Sequence, residues 1–446
     1  MIGRLKRWAI DVRPLRVPSF RRLWLGNGVS MFGYQFTAVA VPVEMFALTR
    51  DSLWVGLLGV AALVPLLGFG LWGGALADAL DRRRLLIGSS MLMWLSTLGF
   101  LGHTLLRIDS PVALLLLTAV QASAFAISSP TRSAITPRIV PQEWVPAANT
   151  LNFTTAQGAL VLGPLTVGLV LAVFSLRVAL PIAYAIDALL FTVSLWATLK
   201  LPALPPTGEA ARAGLRSIVE GFRYLAGAPV LLLSFAIDII AMTVAMPRAL
   251  FPEVADERFP GGAAVGWLFA AIAIGSVLGG LTSGWISRVR RQGLALVGAV
   301  VAWGVLVALA GLAHRLWLIV VLLALAGAAD LVSAVFRQSI LLVYAPDRMR
   351  GRLQGVMTVV VAGGPRLGDL RAGAMAAAVG VGLSWVGGGF GAAVLAVLLA
   401  LTFPALVRYR SPATGLDADA DRISSGHESS GELPKAAVGD TVDDRG

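Results

Sequence analysis

Apolar residues run in blocks along almost the whole chain, each near the ~20 residues that a helix needs to cross a bilayer. The blocks fall near 22–48, 54–77, 85–106, 111–134, 147–173, 177–199, 229–251, 262–287, 294–313, 316–341, 353–380 and 383–407, which predicts twelve transmembrane helices. The polar gaps between them alternate in charge. Arg4, Lys6, Arg7, Arg13, Arg16, Arg21 and Arg22 precede the first block, and Arg82, Arg83 and Arg84 fill the second gap. Arg288, Arg290 and Arg291 fill the eighth gap, Arg348, Arg350 and Arg352 the tenth, and Arg408 and Arg410 follow the last block. The odd gaps carry little: Arg50, Arg107, Arg177 and Arg315, plus a seventh where Glu253, Asp256 and Glu257 outnumber Arg248 and Arg258. Positive loops stay on the cytoplasmic side, so both termini and the even gaps are expected there. An even number of spans demands the same.

The pattern also repeats. Val39-Ala40-Val41-Pro42 returns as Val244-Ala245-Met246-Pro247, Arg132 as Arg337 and Pro141 as Pro346, each 205 residues on. Val55-Gly56 answers to Val265-Gly266, and Gly70 and Gly74 to Gly280 and Gly284, at an offset of 210. A loop five residues longer near Phe259-Pro260 accounts for the change. Two matching halves predict two tandem bundles facing one another, with a site at their interface near the bilayer midplane.

Composition narrows the class. Of 446 residues, 57% are hydrophobic and only 14% charged, and the mean hydropathy is +0.80, which marks an integral membrane protein. The net charge of +11 sits in the gaps and on the termini, where a bilayer rather than a nucleic acid is the partner. Without cysteine there is neither a disulfide frame nor a thiolate metal site, and His103, His314 and His427 lie near block edges or in the tail. No metal, no cofactor and no enzyme chemistry is expected, since no nucleophile–base pair or phosphate loop appears. The first 22 residues, interrupted by Pro14 and Pro18, do not form a cleavable signal. Arginine far outnumbers lysine, and alanine and glycine abound, which points to a GC-rich bacterial genome and so to a bacterial cytoplasmic membrane.

The chain divides into a basic arm (1–20), a first six-helix bundle (21–199), an amphipathic linker (200–228), a second bundle (229–407) and a polar acidic tail (408–446). In the linker, Arg212, Arg216, Glu220 and Arg223 form one helical stripe, and Leu215, Ile218, Val219 and Phe222 another.

Gly74-Ala75-Leu76-Ala77-Asp78-Ala79-Leu80-Asp81-Arg82-Arg83-Arg84 resembles the signature loop of the major facilitator superfamily, a Gly-x-Leu-Ala-Asp start followed by a basic cluster. The resemblance implies an all-α membrane protein, twelve transmembrane helices in two pseudo-symmetric six-helix bundles, moving a small-molecule cargo by alternating access. It is expected to work as a monomer. It also implies a gate. Gly74 permits close helix contact, and Asp78 faces the positive start of the eleventh span near Leu353. Arg132 is its partner, Arg337 is the repeat's equivalent, and Arg82 to Arg84 hold the turn at anionic headgroups. Ala79 and Asp81 depart from the family pattern and imply a lock with two aspartates.

Gly163-Pro164-Leu165-Thr166-Val167-Gly168 resembles the Gly-Pro motif of superfamily antiporters, which usually export, although Ala159 and Val167 replace glycines of its fullest form. The step at Pro164 bends the helix and leaves a smooth face toward the other bundle. Thr118 stands three residues before Gln121-Ala122, where many drug/proton antiporters carry an arginine, so coupling through that arginine is not expected. Leu201-Pro202-Ala203-Leu204-Pro205-Pro206, Gly221-Phe222-Arg223-Tyr224-Leu225, Leu281-Thr282-Ser283-Gly284, Gly351-Arg352-Leu353-Gln354-Gly355 and Leu367-Gly368-Asp369 resemble the branch of bacterial enterobactin exporters and related actinobacterial multidrug pumps. That resemblance implies a proton-driven exporter of siderophores or bulky amphipathic compounds. A solute importer of the same fold would call for a richly polar lining of spans one, four and seven.

Ionisable groups inside spans are costly and mark function by default. Glu44, Asp238, Asp330, Arg366 and Asp369, with Arg371 two residues on, are the candidates. Asp238 and Asp330 lie near mid-span as proton carriers, and Glu44 lies toward the outer mouth. Arg366 and Asp369, one turn apart, are expected to pair. The surplus charge of Arg371 then meets Asp330 or an anionic group of the cargo, unless the cluster is a structural salt bridge. Asp187, on a peripheral span, reads as packing glue. Gln35, Gln121 and Gln157 could bond cargo or a neighbouring helix, and Phe36, Phe125 and Trp267 suit lipophilic cargo or lipid.

Overall fold

A bilayer offers the backbone no hydrogen bonds, so apolar blocks of this length close their amides within helices. In the computed structural model, residues 11–79, 81–201, 215–259 and 262–409 are described; side chains are described for all of these except 70–79, 215–219, 347, 348, 350 and 351. The start of the basic arm, the proline-rich start of the linker, the acidic tail from residue 410 and the side chains of Gly74 and Asp78 lie outside the described residues.

Twelve long helices carry the fold. The first six are α1 (Pro18–Thr49), α2 (Ser52–Ala79), α3 (Arg82–Leu105), α4 (Pro111–Ile139), α5 (Val145–Val173) and α6 (Leu176–Leu199). After a linker helix, Leu215–Ala226, come α7 (Pro229–Ala245), α8 (Ala263–Leu281), α9 (Gln292–Leu312), α10 (Leu316–Tyr344), α11 (Asp347–Val379) and α12 (Val381–Thr402). Eleven of them are long and apolar enough to span. Helix α11 spans 33 residues but carries Arg352, Arg366, Asp369 and Arg371, and those charges are what set it apart. The protein is a multi-pass membrane protein of two six-helix bundles.

Caps explain several ends. Proline opens α1, α4 and α7, where a missing amide costs nothing. Ser110 caps α4 by accepting from the Ala113 amide at 3.3 Å. Rings and small residues fill the bundle interiors: Phe100 stacks on Tyr184 in the first, and Phe251 meets Phe269 and Trp385 in the second. The linker helix docks on α11 through Glu220 and Arg352, 2.9 Å apart.

Two expected spans end early. The seventh stops at Ala245, because Pro247 drives Met246 out of the helical region to a ψ of 119°. A 3-10 turn, Arg248–Leu250, and a short helix, Phe251–Arg258, follow, with Pro252 removing a second donor. The matching Pro42 stays inside the unbroken 32 residues of α1. The eighth span leaves the α-helix at Leu281 and ends as a 3-10 turn, Ser283–Arg288.

Candidate functional site

The bundles meet closely at the end remote from the termini, and small residues make that possible. A Cβ on Gly168 would come within 2.7 Å of Gly266 Cα, and one on Gly266 within 2.5 Å of the Pro164 carbonyl oxygen. On the other side of the seam, a Cβ on Gly56 would lie 2.6 Å from the carbonyl oxygen of Asp369. The Gly-Pro stretch of α5 is thus a contact face against α8, with Gly163 turned onto Gln35 of α1. Polar clasps close the rim: Arg50 meets Asp256 at 2.6 Å, and Ser52 donates to Glu253.

In the terminal half, α1, α4 and α5 line a cavity of about 420 Å³. Asn27, Gln35, Ser128, Arg132, Asn149 and Asn152 give it hydrogen-bonding groups, and Met31, Phe125, Leu160 and Phe191 give it an apolar wall. Tyr34 stacks on Phe125 with ring centres 6.3 Å apart. Past Tyr34 lies a second pocket of about 190 Å³ at the seam, between Thr37 and Gln121 on one side and Arg248, Arg366 and Asp369 on the other.

The basic loop is tied to protein. Arg82 donates to the Ala134 carbonyl at 3.2 Å, and Arg83 donates to Leu199 at 2.8 Å, the open C-terminal carbonyl end of α6. Headgroup binding is the expectation for this cluster; Arg82 and Arg83 also have these protein carbonyls within reach. Asp81 caps α3, its Oδ1 accepting from the Arg83 and Arg84 amides at 2.8 and 3.3 Å. Arg132 reaches Asn27 of α1.

Charges inside the second bundle pair differently from their spacing. Arg337, expected at the gate, is buried and joined to Asp238 at 2.6 Å. Asp330, two turns earlier on α10, feels both partners, so two carboxylates share one guanidinium. Arg366 does not bridge to Asp369. It folds back on its own helix and donates to the Ala362 carbonyl at 2.6 Å, whereas Asp369 lies beside Arg248 and Ala249 in the seam pocket. Arg371 points at α12, donating to the Ser384 carbonyl at 3.1 Å beside Gly388, so it meets neither Asp330 nor the cavities.

The first bundle holds two further carboxylates. Glu44 is buried, not at an open mouth, and accepts from Tyr184 (2.5 Å), Thr104 (2.9 Å) and the His103 ring (3.0 Å). Helical rotation, which depth along a span does not reveal, turns it inward. Asp187 accepts from Thr37 at 2.5 Å and Thr97 at 3.3 Å, and Gln121 reaches Thr97 at 3.5 Å. Among the aromatics, Phe36 is core, Phe125 lines the cavity, and Trp267 is exposed. His103, Tyr184 and Arg248 were not singled out by sequence; a lone buried His and Tyr gave no spacing signal, and Arg248 counts as a loop cation until Pro247 breaks α7. Tyr184→Phe removes one of three donors to Glu44 and is expected to lower stability by about 1–3 kcal/mol. Thermal unfolding in detergent checks this; an unchanged midpoint would show that the hydroxyl holds nothing.

A family model described as transmembrane secretion effector matches residues 9–424. The enterobactin exporter EntS of Shigella boydii serotype 18 is 29% identical over 409 residues, 90% of this chain and 96% of that protein. EntS of Escherichia coli O1:K1 / APEC matches with the same identity and coverage. Among solved structures, the nucleoside transporter NupG superimposes with a TM-score of 0.70 at 16% identity, covering 88% of this chain and 99% of that one. A D-xylose–proton symporter does so with a TM-score of 0.68 at 14% identity, covering 86% and 97%.

Proposed function

Because the chain belongs to the transmembrane secretion effector family of the major facilitator superfamily, we propose that it exports a siderophore or another bulky amphipathic compound, driven by protons entering the cell. It works as a monomer in the bacterial cytoplasmic membrane with both termini inside, an orientation supported by the arginines of the even loops. The transporter class is shared with its relatives; direction, cargo and driving ion are ours.

The observation that carries this reading is the terminal-half cavity, which joins amide and hydroxyl groups to an aromatic wall behind a seam sealed at the far end. Such a space accepts an amphipathic molecule from the cytoplasm, and reversal of the seam releases it outside. About 420 Å³ is within the ~300–1,000 Å³ of small-molecule sites. Drive comes from the Asp238–Arg337–Asp330 group. Its two carboxylates and one guanidinium leave one negative charge unmatched, which a proton can cancel. The loop from Gly74 to Arg84, with Arg132, forms the gate; Arg82 and Arg83 support this by fixing the loop to α4 and α6.

Multidrug efflux is the second reading, favoured by Tyr34, Phe125 and Phe191 in the cavity wall. Deletion in iron-starved cells separates the two. Accumulation of catecholate siderophore inside is the expected result, whereas altered sensitivity to hydrophobic antibiotics alone would shift the cargo to drugs. No change in either would end the export reading.

A further inference from the structure

Two charge groups of opposite sign stand in the second bundle. Asp238, Arg337 and Asp330 sum to one negative charge, and Arg248, Arg366 and Asp369 sum to one positive charge. The second group lines the 190 Å³ pocket at the seam. Its two arginines are held without short ion pairs. Arg248 begins the 3-10 turn after the break at Pro247, and its guanidinium lies 5.6 Å over the Phe269 ring. Arg366 is anchored by one Nη1 bond to Ala362. Among the described residues, no carboxylate comes within ion-pairing distance of either guanidinium. The facing wall from α1 and α4 is uncharged, with Tyr34, Thr37, Thr118 and Gln121.

Discontinuous helices at the interface of the two halves are a recurrent way of building a transporter's ligand site. The pocket is too small for a bulky cargo and adequate for one acidic group. We propose that Arg248 and Arg366 bind an acidic group of the cargo, a carboxylate or catecholate, while the cargo's body occupies the larger cavity beyond Tyr34. Asp369 bonds neither guanidinium, but its negative charge beside them opposes that of the acidic group. The inference rests on the cargo-carrying reading above and narrows its substrate class to amphipathic anions.

The test is equilibrium binding to the purified full chain in nanodiscs, corrected with empty nanodiscs, using 1-pyrenebutyrate and its uncharged amide, 1-pyrenebutanamide. The acid is expected to bind about tenfold or more tighter than the amide, as charge-assisted bonds to a guanidinium are lost in the amide. Arg248→Gln and Arg366→Gln should each bring the acid toward the amide. Asp369→Asn should tighten the acid several-fold and leave the amide unchanged, a gain that misfolding cannot produce. Equal binding of both probes by the native protein, or no gain in Asp369→Asn, would overturn the assignment. The measurement uses no gradient and no direction, so failed export or failed proton coupling leaves its outcome separate.

Discussion

Asp330→Asn is expected to abolish transport against a gradient while the protein still folds and still exchanges cargo down its gradient. The reason lies in how charge is shared in the second bundle. Asp238 and Arg337 form a buried 2.6 Å pair, and Asp330 is the carboxylate in excess. Its amide leaves the pair intact and removes only the charge that a proton would cancel. Asp238→Asn should also stop uphill transport, but at a further cost. It leaves Arg337 with only the more distant Asp330, and breaking a buried pair from one side costs up to about 3–5 kcal/mol. The two variants therefore differ in stability and agree in transport. Proton-driven uptake into everted vesicles, with cargo counterflow as the control, reads both. If both variants accumulate cargo normally, coupling belongs to another group, and Glu44 or Asp187 of the first bundle would be next.

How much of this was readable beforehand depends on the scale of the question. Helix limits follow from hydropathy because a bilayer leaves the backbone no other choice; α4 starts at Pro111 and α5 ends at Val173, as the apolar blocks predict. The Gly-Pro stretch of α5 was also legible as an interface, since a run of small side chains has value only where another backbone approaches. The break in α7 was not. Val39 to Pro42 and Val244 to Pro247 are nearly the same tetrapeptide, yet the first stays inside its helix and the second ends one, so the local sequence does not decide the break.

Partner choice was least legible. Spacing of three puts Arg366 and Asp369 on one helical face, yet Arg366 turns to its own carbonyl ladder and Asp369 is left beside Arg248. Glu44 and His103 lie 59 residues apart, and only the packing of α1 on α3 and α6 brings them together. Spacing within one helix reports rotation; contact between helices needs the fold.

Gly266→Val is expected to stop transport by preventing the bundles from sealing. A Cβ there already lies 2.5 Å from the Pro164 carbonyl oxygen, and valine adds two methyls behind it. Neither partner is a side chain that can swing away; both are backbone, so the bundles must separate. Overpacking of this kind costs about 1–3 kcal/mol, which shifts a two-state equilibrium by roughly 5- to 150-fold toward the open seam. The chain has no cysteine, so a single reporter is clean. Ser52 is 2% exposed and bonded to Glu253 across the rim, and Ser52→Cys should label slowly with an impermeant maleimide added outside intact cells. Adding Gly266→Val should speed that labelling about tenfold or more. Gly298→Val is the control, because a Cβ at that position meets nothing within 4 Å. It should leave labelling and transport as they were. Slow labelling together with normal transport in Gly266→Val would mean that the α5–α8 contact is not the seal, and that closure at this end is carried by α2 against α11.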